Sequence, residues 1–187
     1  MATSRTAAMI LGLLAEGERH GYELLREMEE RGLLRWTRAS RVSVYKNLAR
    51  LEEEGCLVSW REKDGNLPER IVYGITAEGE RRLKEMLYDL CSSREPLRMD
   101  YAVGAAFLER LEAGEAREAL EARREFLRGQ IKRLAREREM LAGLDDEVLQ
   151  SIREREIGAY REELRWLDRL EASLGGRAGK RPRGAGR

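Results

Sequence analysis

The sequence predicts a mostly α-helical protein with an N-terminal winged helix-turn-helix, which carries a two-stranded wing, and a C-terminal helical dimerisation domain. Three helical apolar patterns come first, and two short runs of β-branched and aromatic residues follow before a fourth helix. Helix, helix, helix, hairpin and helix is the element order of the winged helix-turn-helix. The rest of the chain shows only helical periodicity.

The first three helices are predicted from apolar spacing and from residues that favour helix ends. Residues 7–15 are almost wholly apolar, and residues 20–30 carry an apolar stripe. The third helix runs from about Ser40 to Glu54 and stops at Gly55, which can take the left-handed conformation preferred at a helix C-terminus.

A β-hairpin is predicted next. Residues 56–60 and 70–73 have the composition of strands, and residues 64–68 (DGNLP) have the composition of a turn. Thr76 can cap the helix that follows, residues 77–90. The hairpin therefore occupies the position of a wing.

The C-terminal region predicts two long helices after a short one at residues 101–111 and a break at Gly114. Leucines recur every seven residues from residue 115 to 144, and a second apolar stripe runs from residue 145 to 174. One antiparallel hairpin is not expected to bury both stripes, which then need the first domain or another copy of the chain. The residues predicted to form a homodimer interface are Leu120, Leu127, Ile131, Leu134, Leu141, Leu164 and Leu167.

Three segments are expected along the chain. They are a winged helix-turn-helix domain at residues 1–92, a helical dimerisation domain at residues 93–175 and a basic tail at residues 176–187. The tail holds five basic side chains and no acidic one, and its Gly, Arg and Pro content cannot build a core, so we expect it to be disordered.

The sequence lacks the signals of membrane proteins, disulfide-rich proteins, metal-binding proteins and common enzyme families. No apolar run reaches the roughly 18 residues of a membrane span and the N-terminus has no signal-peptide cleavage pattern, so we expect a cytoplasmic protein without a membrane partner. Cys56 and Cys91 are too few and too poorly spaced for a disulfide framework, and His20 is the single histidine. With no phosphate loop, nucleophile elbow or triad, we expect no metal, no cofactor, no catalytic residue and no enzyme activity.

One stretch stands apart in charge. Residues 35–51 (RWTRASRVSVYKNLARL) contain five basic side chains and no acidic one, in a chain where acids and bases otherwise alternate. On a helix that begins near Ser40, the residues opposite the apolar stripe are Ser43, Lys46, Ala49 and Arg50. This face is basic and shallow, which favours contact with the phosphates and the major groove of a duplex. A solvated basic face on a surface helix is the alternative interpretation.

Four motifs occur in a fixed order in the first 90 residues. They are ILGLL (10–14), HGYEL (20–24), SVYKNLARLEEEG (43–55) and VYGITAEG (72–79). Together they resemble the PadR family of bacterial transcriptional regulators, whereas the C-terminal region is similar to the longer members only in length and helicity. The resemblance implies a winged-helix dimer, usually a repressor, that binds a roughly palindromic operator in double-stranded DNA and is often released by a small-molecule effector.

The resemblance places the recognition helix around Ser43, Tyr45 and Lys46 and the wing tip at residues 63–70. Tyr45 has two interpretations, a phosphate contact through its hydroxyl or packing beside Trp36. Joined with the basic stretch, the resemblance gives the predicted DNA-binding residues, which are Arg38, Ser40, Arg41, Ser43, Tyr45, Lys46, Asn47, Arg50, Lys63 and Arg70.

Two positions depart from the family pattern. Gly74 replaces the polar or basic residue that commonly follows the tyrosine of the second strand, and Asp64 and Glu69 lie among the basic residues of the wing. The wing is therefore expected to contribute less to phosphate binding than the wings of relatives do.

Three alternatives stay open. Trp166 either lines an effector pocket at the dimer interface or belongs to the helical core. The protein is either a regulator or a winged-helix adaptor that binds other proteins, since the chain lacks a large positive charge. Within the regulator class, the sequence does not separate a repressor from an activator.

Overall fold

The computed structural model describes residues 4–37, 39–63, 69–94, 101–141 and 146–178, and only the backbone of residues 141 and 174–178 is described. The chain divides into two compact units, residues 1–96 and residues 97–187. Both are mainly helical, which confirms the predicted fold class.

The first unit has the predicted order of three helices, a hairpin and a fourth helix. A short 3₁₀ turn, Leu33–Trp36, links the second helix to the third. Its helices and strands are α1 (Arg5–Ala15), β1 (Arg19–His20), α2 (Gly21–Glu30), α3 (Arg41–Glu53), β2 (Leu57–Glu62), β3 (Arg70–Ile75) and α4 (Ala77–Cys91).

The sheet has three strands, whereas the sequence predicted a wing of two. β1 pairs antiparallel with β3, so that Arg19 lies opposite Tyr73 and His20 opposite Val72, and the sheet order is β1-β3-β2. β1 has only two residues, too few for an alternating pattern to appear in the sequence. The extra strand joins the base of the wing to the start of α2.

Side-chain caps fix the starts of α3 and α4, and of the two only the Thr76 cap was predicted. Ser40 Oγ accepts a hydrogen bond from the Ser43 amide at 3.2 Å, and Thr76 Oγ1 accepts one from the Gly79 amide at 3.0 Å. After α3, Gly55 has φ 71°, the left-handed conformation expected at that end.

The core of the first unit lies between α1, the apolar faces of α2 and α3, and the sheet. Val44, Leu48 and Leu51 of α3 are fully buried, as their spacing predicted. The other side chains that are completely buried in this core are Ala7, Ile10, Leu11, Leu24 and Met28.

The second unit begins with a short helix and continues as a helical hairpin. Its elements are α5 (Tyr101–Ala106), a 3₁₀ turn (Leu108–Arg110), α6 (Ala113–Leu141) and α7 (Glu147–Ala178). Gly114, predicted as a break, lies inside the first turn of α6, and the chain changes direction one turn earlier, where Leu111 is extended. A glycine costs a helix least in the first turn, where amides lack intrahelical partners.

The leucine stripe of α6 is covered by α7 of the same chain. Leu127, Leu134 and Leu167 are at most 2% exposed, and Leu120 is 6% exposed. The premise that these positions need a second copy therefore does not hold, because the hairpin buries them. Ile131 and Leu164 are half-buried, and the side chain of Leu141 lies outside the described residues. A dimerisation role for this set stays a prediction.

Two buried arginines join α6 to α7 by ion pairs. Arg153 is 0% exposed, with Nε 3.3 Å from Glu137 of α6 and Nη1 3.0 Å from Glu156. Arg124 is 7% exposed and lies between Glu171 and Asp168 of α7. Removing one partner of such a buried pair leaves a charge without its counter-ion, so these pairs fix how the two helices align.

Candidate nucleic-acid interface

The surface of α3 opposite its buried stripe has Val42, Lys46 and Ala49 at its centre. These positions follow i, i+4, i+7 spacing, and all three side chains are exposed, Val42 to 63%. We call this surface the outer face of α3. Its centre carries one charge and two small or branched apolar groups, which makes it shallow enough to approach a duplex closely.

Lys46 and Arg50 differ in how much of their charge is available. Lys46 has no ion-pair partner among the described residues. Arg50 Nε lies 3.7 Å from Glu54, and its Nη2 donates to Asn47 Oδ1 at 3.3 Å. Of the two residues singled out for charge, Lys46 is therefore the stronger candidate for a phosphate contact.

The hydroxyls at the start of α3 are engaged within the helix. Ser43 Oγ accepts from the Ser40 amide at 2.9 Å and donates to the Ser40 carbonyl at 2.8 Å. Ser43 is half-buried at the edge of the outer face, and its side chain completes a reciprocal cap; its role as a DNA contact stays a prediction. Arg41, the first residue of α3, is exposed beside this cap.

Asn47 also points toward the protein. It is half-buried, its Nδ2 donates to the Ser43 carbonyl at 2.7 Å, and its Oδ1 accepts from Ser4 Oγ at 3.5 Å. The bond to Ser43 uses one of the two amide hydrogens of Asn47, and Oδ1 already accepts from Ser4 and Arg50, so only one amide hydrogen is left for a contact with a base.

Tyr45 flanks the outer face on the other side. It is 41% exposed, and its ring lies against Gly21, the first residue of α2. A Cβ at Gly21 would lie 2.9 Å from Tyr45 Cε1, so the glycine makes room for the ring. The ring is thus held by α2 with part of its edge exposed, and both a packing role and a phosphate contact through the hydroxyl fit this placement.

The ends of the wing strands that adjoin the wing loop contact the residues at the start of α2. Arg70 Nη1 donates to the Tyr22 hydroxyl at 3.2 Å, and the guanidinium carbon lies 5.7 Å from the centre of the Tyr22 ring. His20 Nε2 lies 3.6 Å from Glu62 of β2, and its Nδ1 lies 3.3 Å from the Ile71 carbonyl. Both strands of the wing therefore contact residues 20–22, where β1 ends and α2 begins.

The rest of the predicted wing is only partly described. Lys63 is exposed at the end of β2, and Arg61 pairs with Glu69 across the strands at 3.2 Å. This pair leaves less free positive charge on the wing, in line with the expectation from its acidic residues. Arg38 and Asp64 lie outside the described residues.

Packing against Trp60 explains why position 74 is a glycine. A Cβ there would lie 3.2 Å from Cζ3 of Trp60, the residue diagonally across on β2. The indole therefore covers the backbone of β3 at the position where the family commonly has a polar or basic side chain.

Trp166 belongs to an aromatic and charged cluster of the second unit. It packs against the buried leucines of the hairpin, and its ring centre lies 5.7 Å from that of Tyr101. Arg123 lies over the Tyr101 ring at 4.5 Å and donates to Glu163 at 2.7 Å. Burial raises the pKa of Tyr101. Trp166 is half-buried, which agrees with a core role and leaves part of the ring accessible.

Two exposed residues of the candidate interface, Val42 of α3 and Tyr22 of α2, were not predicted from the sequence. Val42 is not among the predicted DNA-binding residues because it is neither polar nor basic, although its spacing from Lys46 and Ala49 places it on the same face. Tyr22 lies within residues 20–30, whose apolar stripe was predicted to be buried, but it is 46% exposed and accepts a hydrogen bond from Arg70. No signal in the sequence joins residue 22 to residue 70, because β1 and β3 bring them together.

The described residues also bear on membrane and metal binding. None of the helices there combines the length and the apolar character needed to cross a bilayer. Among the same residues, no three His, Cys, Asp or Glu side chains are grouped so as to hold a metal ion.

This fold is that of a winged-helix protein, in which α3 is the third helix before the wing. Residues 10–85 match the model of the transcriptional regulator PadR-like family, so this part of the chain is a PadR-like domain. The resemblance inferred from the four motifs is thereby confirmed. The family consists of transcriptional regulators and not of enzymes.

Solved structures of such regulators share the fold over most of the chain. PadR of Bacillus subtilis in complex with operator DNA is 21% identical, with a TM-score of 0.72 over 90% of this chain and 98% of that one. The same protein with p-coumaric acid is 19% identical, with a TM-score of 0.75 over 94% and 98%. The Vibrio cholerae virulence activator AphA is 20% identical, with a TM-score of 0.67 over 91% and 98%. A search of curated proteins finds no significant match.

Proposed function

We propose that this chain is a cytoplasmic, dimeric transcriptional regulator that binds double-stranded DNA through the outer face of α3. One observation carries the proposal: the outer face presents Lys46 without an ion-pair partner among the described residues, on an exposed helix whose opposite face anchors it in the core. A helix held in this way can enter the major groove, which is about 12 Å wide.

The contacts divide into two kinds. Lys46, with Arg41 and Arg50 beside it, supplies charge for phosphates, which sets affinity and orientation but not sequence preference. The wing adds phosphate contacts from Arg70 and Lys63 on a neighbouring stretch of backbone. Because Ser43 and Asn47 are engaged within α3, hydrogen bonds to base edges are a smaller part of the interaction than the sequence indicated.

A homodimer would present two recognition helices, and its operator would be a palindrome with half-sites about one helical turn, or a multiple of it, apart. We assign DNA binding to residues 1–92, dimerisation to residues 93–175 and non-specific support of DNA binding to the basic tail, residues 176–187. Since the hairpin buries its own leucines, we infer that the exposed apolar strip of Val103, Phe107 and Leu111 contributes to the dimer contact.

We further propose that the protein is a repressor released by a small molecule. Similarity to the structure of PadR in complex with p-coumaric acid supports an effector of aromatic character. In this chain, the cluster of Tyr101, Arg123 and Trp166 offers aromatic rings beside a cation, which suits an aromatic carboxylate. An activating role is the second candidate, because another similar structure is that of a virulence activator.

A footprint on the promoter of the protein's own gene tests the proposal. Protection of two half-sites on one side of the duplex, with an affinity that falls steeply as salt rises, is expected of the regulator. The adaptor alternative predicts no duplex binding even at low salt. Release of the protected DNA by phenolic acids, with no release by their esters, would identify the effector class.

A further inference from the structure

Val42 is an exposed apolar side chain at the centre of the outer face. It is 63% exposed and lies in the first turn of α3, between Arg41 and Ser43. Isolated exposed apolar residues are common on protein surfaces, so exposure alone assigns no role. Two further observations distinguish this valine.

The first is the lack of any structural reason for a valine there. A branched side chain lowers helix propensity relative to alanine, and Val42 contributes nothing to the core on the opposite face, which Val44, Leu48 and Leu51 fill. Folding alone would be served at least as well by alanine at this position.

The second is the arrangement of the groups around it. The hydrogen-bonding side chains nearest on the flank, Ser43 and Asn47, bond to backbone carbonyls of α3 itself or of its capping residue. Lys46 provides charge one turn further along α3, and in the next turn the short side chain of Ala49 projects little from the helix. The part of the helix that would lie deepest in a groove is therefore apolar and branched, within a rim of positive charge.

The major groove has one apolar feature at its floor, the C5-methyl group of thymine. We propose that Val42 is a specificity-determining residue that contacts the C5-methyl of a thymine in each half-site. This inference rests on the proposed function, since it assumes that α3 enters the major groove. It adds that the sequence preference of this protein depends on an apolar contact at this position.

The test uses the full chain and duplex DNA that differs by single methyl groups. Duplexes are first selected with the protein from a random-sequence library. Each thymine of the best duplex is then replaced in turn by uracil, which pairs identically and lacks only the methyl. One thymine per half-site is expected to be sensitive, with uracil weakening binding about fourfold, the effect of one buried methyl group.

Variants assign that sensitivity to the side chain. Val42→Ala removes both γ carbons and should bind the thymine and uracil duplexes equally at the sensitive position, with the salt dependence of the wild type. Val42→Thr retains one γ-methyl and the branched shape and should keep part of the discrimination. Val148→Ala, at a valine 70% exposed in the second unit, is the matched control and should discriminate like the wild type.

The outcomes separate this inference from the proposed function. Selective, salt-dependent binding by the wild type with no uracil-sensitive thymine overturns the role of Val42 and leaves the regulator assignment intact. Full uracil sensitivity in Val42→Ala overturns that role in the same way. Failure of the wild type to select any duplex overturns both, whereas loss of discrimination confined to the Val42 variants supports the contact.

Discussion

The Tyr22 hydroxyl accepts a hydrogen bond from Arg70 Nη1 at 3.2 Å, which joins the first turn of α2 to the first residue of β3. The hydroxyl also donates to Glu23 at 3.2 Å, and the His20 ring stacks on the Tyr22 ring with centres 5.6 Å apart. Arg70 is thus held by a residue outside the wing. Its guanidinium is therefore held at the end of β3 that adjoins the wing loop, before any DNA binds.

This contact predicts different effects for changes in its two partners. Arg70→Ala removes one charge from each protomer and should reduce the magnitude of the salt slope of DNA binding by the dimer by about two. Tyr22→Phe keeps that charge but removes the hydrogen bond that orders it, so we expect affinity for each half-site to fall about two- to twelvefold with an unchanged slope, because ordering a side chain costs about 0.5–1.5 kcal/mol. Binding titrations at several salt concentrations measure both. Tyr88→Phe, at a tyrosine 74% exposed on α4, is the control.

Gly79 predicts a stability effect, because α4 begins directly against β2. A Cβ at this position would lie 2.1 Å from the Cys56 carbonyl oxygen, a backbone atom with little room to move. Gly79→Ala should therefore lower the free energy of unfolding of the first unit by about 2–3 kcal/mol, as overpacking does. Gly12→Ala is the matched control: nothing lies within 4 Å of its Cβ, and it should raise stability by about 0.5–1 kcal/mol.

Urea unfolding in a Trp166→Phe background measures this difference, because Trp36 and Trp60 then report on the first unit alone. Equal midpoints for Gly79→Ala and Gly12→Ala would show that α4 does not approach β2 as described.

The two cysteines should differ in reactivity. Cys56 is 3% exposed, and burial raises the pKa of its thiol, so little reactive thiolate forms near neutral pH. Cys91 is exposed at the end of α4. We expect a thiol reagent to label one site rapidly and one slowly, and Cys91→Ser to abolish the rapid phase. If Cys56 is labelled rapidly, or if mild oxidation abolishes DNA binding in the wild type and not in Cys56→Ser, the protein is a redox sensor.

The helical hairpin predicts separate outcomes for a buried and an exposed apolar residue. Leu127 is 0% exposed within the chain, so Leu127→Glu should unfold the hairpin and lower helix content. Phe107 is 64% exposed, so Phe107→Glu should keep the helix content and yield monomers that bind DNA more weakly by two or more orders of magnitude. Sedimentation with circular dichroism distinguishes the two. A folded Phe107→Glu dimer with full affinity would place the dimer contact elsewhere.

The sequence was most informative where the apolar spacing, the residue at the helix start and the residue at the helix end all indicate the same helix. α3 is the clearest case, since the spacing of Val44, Leu48 and Leu51, the capping Ser40 and the terminal Gly55 all predict the same helix. The motifs then identified the family of the domain, which the match over residues 10–85 confirmed.

Other features depend on contacts between distant parts of the chain. β1 exists because β3 offers a free edge to two residues, and the Tyr22 to Arg70 contact follows from that pairing. The burial of the leucine stripe was misjudged for a similar reason. Periodicity shows which side chains are expected to be buried, but not whether the helix that buries them belongs to the same chain. Val42 was missed because an exposed apolar residue breaks the usual pattern, and such breaks often mark functional surfaces.

The salt dependence of DNA binding by the full chain and by Lys46→Ala tests the central assignment most directly. Lys46 lies at the centre of the outer face of α3 and points away from the core, so the variant should remain folded. We expect log affinity of the wild-type dimer to fall linearly with log salt, and we expect Lys46→Ala to weaken binding and to reduce the magnitude of the slope by about two, one for each protomer. Arg50→Ala should change the slope less, because Glu54 already pairs with that arginine. A folded Lys46→Ala protein with the affinity and slope of the wild type would contradict the assignment of α3 as the recognition helix.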